Sequence, residues 1–345
     1  MTGVQRDGDL ESVHTLVPSA GRIAEIDTAK GIGIALVVFG HMVARDVKPL
    51  GNEWWMVWHG HLYSFHMAFF FFLSGYVFFL RPASQWASRL RKSAAKLVPA
   101  YVLFAAIVYV AKAIAVRVLH VDRPVNKVLD EVRLMLAYPT DGFAQFLWFI
   151  VTLLMILAVI TALRSLITRH LGMALAVFFS LHVLSVTGHV TEFLALHQLT
   201  RYAIFFLVGA LCHRYPQAWA SVVTRFGAFY AAAFVVTLIV VPEGWLPTVA
   251  GLLSVPALVA VAVWVGRWSA LRVPLQYLGR NTLTIYLMSS LTMGLVRAIV
   301  LKSWGWDGWH FFVVAPALVA AGLLLPILAQ RWVFARWRWA DRITR

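Results

Sequence analysis

Ten apolar runs dominate this sequence, at 27–44, 61–80, 97–116, 145–163, 171–187, 201–212, 226–241, 246–265, 281–300 and 310–330. A helix needs about 20 apolar residues to cross roughly 30 Å of hydrocarbon, and most of the runs approach that length. The sixth is short unless it starts near Gln198, and only Pro242, Glu243, Gly244 and Trp245 separate the seventh from the eighth. A chain with 61% apolar and 13% charged residues has too little polar surface for a soluble domain, where about half the residues are apolar and about a quarter charged. The fold expected is all-α: a polytopic membrane protein of about ten transmembrane helices.

The charges fix an orientation. The net charge is +15, a value that by itself suggests nucleic acid. With both termini cytoplasmic, however, the inner segments 1–30, 81–96, 164–170, 213–225, 266–280 and 331–345 carry 20 of the 30 Lys and Arg residues. That is the bias expected of loops facing the cytoplasm, so the partner is anionic lipid rather than nucleic acid. The expected location is the cell (inner) membrane. Residues 1–26 form a polar cytoplasmic segment without the apolar core of a signal peptide, so the first span would act as the insertion signal. Residues 27–330 form the membrane domain. Residues 331–345 form a basic, Trp-rich tail that reads as an interfacial anchor. The single cysteine, Cys212, sits in an apolar run and supports no disulfide framework.

The chemical signal is concentrated in the first run. Lys30 and His41 are eleven residues apart, three helical turns, which places them on one face and roughly 16 Å apart. Lys30 falls at the inner edge and His41 deep in the membrane, where an ionisable group is costly and marks function. Neutral imidazole can take the proton of a hydroxyl nucleophile. Asp27 either caps the helix or orients Lys30. Gly31, Gly33 and Gly40 allow close approach of a neighbour.

These residues resemble the opening signature of the acyltransferase-3 family: a basic residue, ten intervening positions and a histidine. Arg is commoner than Lys at the first position. The stretch from Ser64 through His66, the phenylalanines, Ser74, Gly75 and Tyr76 resembles the family's second-helix motif. Leu147, Trp148 and Phe149 resemble its fourth helix, Arg201 through Gly209 its sixth, and Leu278 through Leu287, with Asn281 and Tyr286, its ninth. The similarity runs over about residues 22 to 295. Many relatives have a histidine three residues after the ninth-helix tyrosine, whereas this chain has Ser289, which argues against a two-histidine mechanism.

The resemblance implies acyl-coenzyme A, acetyl-CoA by default, as co-substrate with no tightly bound cofactor. The implied acceptor is a hydroxyl of a cell-surface polysaccharide or glycolipid. His41 becomes the candidate base. Lys30 and the segment holding Arg81, Arg89, Arg91, Lys92 and Lys96, just before Pro99, become candidates for the donor's phosphates, although positive-inside loops look the same. Asp27, His66, Ser74, Trp148, Arg201, Asn281 and Tyr286 become supporting candidates, Arg201 with an interhelical ion pair as its favoured role. Ser74 reads as helix packing before it reads as a nucleophile. His59, His61 and His66 lack the spacing and the companions of a metal site. Outer Trp54, Trp55, Trp58, Trp304, Trp306 and Trp309, with Glu53, Glu192 and Asp307, either form an aromatic belt with solvated charges or face a sugar. A multipass transporter or flippase is the rival reading, and a membrane scaffold a third.

Overall fold

The computed structural model describes residues 24–43, 49–117 and 124–344. Nearly all of the N-terminal segment and the end of the first predicted span lie outside them. Among the described residues the chain is all-helical, without a strand. The major helices are α1 (Ala24–Gly40), α2 (Trp54–Phe79), α3 (Trp86–Ala115), α4 (Val128–Ala137), α5 (Trp148–Ala162), α6 (Arg164–Arg169), α7 (Leu171–Val186), α8 (Leu196–Arg214), α9 (Pro216–Arg225), α10 (Gly227–Val240), α11 (Leu246–Val265), α12 (Ser269–Arg280), α13 (Thr282–Ser303), α14 (Phe311–Trp332) and α15 (Arg338–Thr344).

Each of the ten apolar runs is helical, but not every one is long enough to span. Among the described residues seven helices have the length and hydropathy to cross a membrane, or eight if the bent pair α9–α10 counts as one span. That pair turns through 71° at Phe226, so the seventh predicted span is the 14-residue arm of a broken helix. The fifth run, α7, has 16 residues, and the described part of α1 has 17. The sixth run gains its missing length by starting at Leu196. The predicted loop carrying Arg89, Arg91, Lys92 and Lys96 is instead the first turns of α3, because no helix breaker separates it from the apolar run and Pro99 is accommodated within the helix.

Two helices form the centre. The most apolar stretch of α2 is 83% buried, against 17% for the stretch containing α3. Around α2 pack α1, α8 and α11, while α1 also contacts α12 and α13. Glycines set the tightest of these contacts. A Cβ on Gly31 would lie 2.0 Å from the Leu275 carbonyl oxygen, and one on Gly279 would lie 1.8 Å from that of Asp27, so α1 and α12 meet backbone to backbone. In the same way Gly75 of α2 meets Phe206, and Gly209 of α8 meets Tyr76. Lipid tails are as apolar as Leu side chains, so close packing of this kind, rather than hydrophobic exclusion, joins helices in a bilayer. Phenylalanines of α2 fill the core beside it, Phe69, Phe71 and Phe72 being almost wholly buried.

The tail is less detached than its composition suggests. Trp332, Trp337 and Trp339 remain exposed, as an interfacial anchor requires. Yet α15 folds back on the bundle: Thr284 Oγ1 donates to the Thr344 carbonyl (2.7 Å), and Gln330 Nε2 donates to Asp341 Oδ1 (2.6 Å).

Candidate functional site

A cavity of about 330 Å³ opens between α1, α2, α3, α5, α13 and the end of α12. On α1 its wall is Lys30, Ile34 and Val37, spaced i, i+4, i+7 along one face. On α2 it is Met67, Phe70 and Ser74 on a matching face. Lys30, Ser74, Arg280 and Thr282 make one end polar and cationic, while Leu97, Phe149, Ile150, Leu153 and Leu283 make the remainder apolar. Tyr286 lines the wall and donates its hydroxyl proton to the Phe146 carbonyl (2.7 Å).

Arg280 was not legible as a site residue from sequence. Its Nε lies 3.6 Å from Oδ2 of Asp27, which is 3% exposed. Asp27 therefore sits inside the first turn of α1 as the carboxylate of an interhelical pair, not as a cap. The pair ties α12 to α1 where Gly31 and Gly279 bring the two backbones together.

His41 follows the last residue of α1, and its N–H still donates to the Val37 carbonyl (3.1 Å), so it continues the Lys30 face by one turn. The cavity ends at Val37 and Met67 and does not include His41. The ring is half-buried instead in a second cluster at that end. Nδ1 is 3.1 Å from the Tyr63 hydroxyl, and the Tyr63 ring lies 4.2 Å from that of His59 and 4.8 Å from that of His66. Arg297 of α13 acts electrostatically on His41 and donates Nη1–H to the Met42 carbonyl (3.3 Å). Tyr63 lies one turn before Met67 on α2, as His41 lies one turn after Val37 on α1. The cluster thus caps the far end of the crevice whose near end holds Lys30 and Arg280. Neither Tyr63 nor Arg297 could be singled out from sequence, since both act through the register between helices.

The other expected residues separate. His66 is buried and donates Nδ1–H to the Leu62 carbonyl of its own helix (2.7 Å). Trp148, half-buried, stacks on Tyr202 (5.4 Å) and lies tilted against Phe71 (6.1 Å) at the edge of the core. Asn281 ends α12, its Nδ2–H bound to the Tyr277 carbonyl (2.8 Å). The Arg201 guanidinium lies over the Tyr202 ring, 5.7 Å away, and forms no ion pair among the described residues, contrary to expectation. Arg89, Lys92 and Lys96 share one face of α3 at i, i+3 and i+7, whereas Arg91 points to another. Leu97, next to Lys96, lines the cavity. Ser289 is buried within α13.

The outer acids accept hydrogen bonds from the protein itself, two from backbone and one from a side chain. Asp307 Oδ1 accepts the Leu50 N–H (2.7 Å), Glu53 Oε1 accepts the Gly51 N–H (2.9 Å), and Glu192 Oε2 accepts from Gln198 (2.8 Å). Among the described residues no group of three or more His, Cys, Asp or Glu is placed to hold a metal ion.

A family model described as an acyltransferase domain, acyltransferase 3, matches residues 23–331. The chain belongs to the acyltransferase-3 family. No curated protein and no solved structure matches it significantly. As an acyltransferase-3 protein with seven or eight candidate spans, it is a multipass membrane acyltransferase. The matched region contains both Lys30 and His41 and runs through every helix that lines the cavity.

Proposed function

We propose that the protein transfers an acyl group, acetyl by default, from acyl-coenzyme A to a hydroxyl of a cell-surface polysaccharide or glycolipid, with His41 as the general base. The donor's phosphates rest at the cationic end of the cavity, on Lys30 and Arg280, with Arg89, Lys92 and Lys96 of α3 drawing the anion toward it. The pantetheine arm lies along the apolar wall toward Val37 and Met67. Its thioester carbonyl then stands one turn from His41 once those two side chains yield. The acceptor approaches from the opposite end, where His41 and Arg297 lie. His41 takes the acceptor's hydroxyl proton while the acceptor oxygen bonds to the carbonyl carbon. The carbon–sulfur bond breaks, and the thiol leaves with a proton returned by the imidazole. The cationic end is the expected cytoplasmic side, so the crevice links a donor on one side of the membrane to an acceptor on the other.

The observation that carries this reading is the continuous α1 face of Lys30, Ile34, Val37 and His41, three of whose members line one cavity. The test uses purified protein in detergent with labelled acetyl-CoA and a glycan acceptor. Wild type should release coenzyme A and label the acceptor, and His41→Ala should do neither while remaining folded and inserted. Transfer at the wild-type rate by His41→Ala overturns the assignment of the base. No thioester consumption by the wild type with any acyl-CoA overturns the donor.

A further inference from the structure

We propose that a second cavity binds the headgroup of a phospholipid that carries both a phosphate and a primary ammonium, as phosphatidylethanolamine does. The site is separate from the donor cavity, and it stands or falls independently of acyl transfer.

The second cavity measures about 160 Å³ and lies between the first turns of α1, the end of α11 and one face of α12. At about 30 Å³ per water it has room for about five, the scale of a small polar headgroup. Its polar lining is Glu25, Thr28, Arg267, Arg272 and Gln276. Gln276 Nε2–H donates to the Ala24 carbonyl (3.4 Å), which ties α12 to α1, and Thr28 Oγ1–H donates to the same carbonyl (3.1 Å). The charged groups are not engaged in this way. Glu25, Arg267 and Arg272 line one cavity, yet among the described residues the ion pairs all lie elsewhere. The one side-chain bond either guanidinium makes there, Arg272 Nη1–H to the Gly266 carbonyl, is long at 3.5 Å.

Opposite charges that share a cavity without meeting suit a ligand that carries both signs. A phosphate between Arg267 and Arg272 meets two planar sets of N–H donors. An ammonium brings three N–H donors, which the Glu25 carboxylate and Gln276 Oε1 can accept. Each polar group that the internal bonds leave open then has a partner. A purely anionic headgroup would fit less well, because it offers Glu25 no cation and sets a negative charge beside it. A trimethylammonium would bring the cation without the N–H donors.

The surroundings point to a lipid rather than a soluble molecule. With 12 residues α12 is about 18 Å long, too short to cross a membrane, and Gly279 is its one buried residue. Beside the cavity Trp264, Trp268, Leu271 and Val273 are exposed. Indoles settle at the level of lipid headgroups, so a phosphate here stands at its natural depth with its acyl chains against these side chains. The walls α1 and α12 also carry Lys30 and Arg280, so a bound lipid braces the two helices that form the cationic end of the donor cavity.

The test is retention of lipid by the full-length protein, purified in detergent and titrated with phosphatidylethanolamine, phosphatidylcholine or phosphatidylglycerol, read by native mass spectrometry. Phosphatidylethanolamine should bind at least about 10-fold more tightly than either of the others, the scale of one charge-assisted hydrogen bond. Glu25→Gln should remove that preference, and Arg272→Gln should weaken all three lipids. Circular dichroism establishes that each variant is folded, and the wild-type ranking needs no variant. Equal retention of the three lipids, or tightest binding of phosphatidylglycerol, overturns the proposal, since a merely basic surface would do either. So does an unchanged ranking in folded Glu25→Gln. Glycerophosphoethanolamine, which lacks the acyl chains, should compete poorly; competition as strong as the lipid's overturns the choice of a lipid. Excess acetyl-CoA should leave the bound lipid in place, and its displacement overturns the separation of the two sites.

Discussion

Asp27 and Arg280, far apart in the sequence, form an ion pair at 3.6 Å beside the cationic end of the cavity. The carboxylate is buried, and the guanidinium is about half exposed, so Arg280 is anchored at one side and open to a ligand at the other. Arg280→Gln should therefore raise the donor KM by about 10- to 100-fold, the loss of one charge-assisted hydrogen bond to phosphate, with kcat nearly unchanged. Steady-state kinetics with varied acyl-CoA checks this. Asp27→Asn should leave a mobile Arg280 and cost about 1 to 2 kcal/mol of stability, less than a fully buried pair because Arg280 is partly solvated.

The contact of α2 with α8 leaves no room for a side chain. A Cβ on Gly75 would stand 2.1 Å from the Phe206 carbonyl oxygen, and one on Gly209 would stand 2.3 Å from the Tyr76 nitrogen. Backbone cannot swing aside as a side chain does, so Gly75→Ala should separate the helices and cost about 1 to 3 kcal/mol. Thermal unfolding in detergent measures the loss. Gly172→Ala is the control: nothing lies within 4 Å of its Cβ position, and removing a helical glycine should be neutral or stabilise by up to about 1 kcal/mol.

The helices and the first-helix stripe were legible in sequence because both depend on local periodicity. Apolar runs mark helices wherever they fall, and Lys30 and His41 share a face by spacing alone. The span count was not legible, since a run of 14 residues such as Gly227–Val240 reads as a span until its 71° bend from Pro216–Arg225 is seen. Arg280 and Tyr63 were missed for a different reason. Each acquires its role from a partner on another helix, Asp27 and His41, and helix register is not encoded in one-dimensional spacing. One signal was present: Arg280 directly follows Gly279, and a small residue beside a charge at a span boundary marks a close helix contact. The role of the outer acids stayed open in sequence because a carboxylate that accepts a backbone N–H, like Asp307, is indistinguishable there from one that is solvated or binds a ligand.

The cavity stops at Val37, which predicts where blocking it should matter. Val37→Phe adds bulk on the apolar wall one turn before His41, with Lys30 and Arg280 untouched. The donor's phosphates should still bind while the thioester is held away from the imidazole. A misplacement of about 1 Å costs about 100-fold in rate, so kcat should fall on that scale with donor KM changed little. The effect should grow with acyl-chain length, from acetyl to butyryl, in single-turnover assays.

The final prediction concerns the outer loops. Asp307 Oδ1 accepts the Leu50 N–H at 2.7 Å, Gly308 N–H donates to the Leu50 carbonyl at 3.0 Å, and Asn52 Nδ2 donates to the Gly308 carbonyl at 2.8 Å. These bonds clamp the segment before α2 to the segment before α14. Gly51 and Gly308 both have positive φ, 75° and 57°, conformations that glycine adopts without the steric penalty of a Cβ. Asp307→Ala removes a charge-assisted bond and should cost about 1 to 2 kcal/mol. The Leu50 amide should exchange with deuterium faster, while exchange in α2 and α8 stays unchanged. Transfer should persist within a few-fold of wild type, because the carboxylate is occupied by backbone. If Asp307→Ala instead raises the acceptor KM with no change in Leu50 exchange, the carboxylate belongs to the acceptor site and not to the clamp.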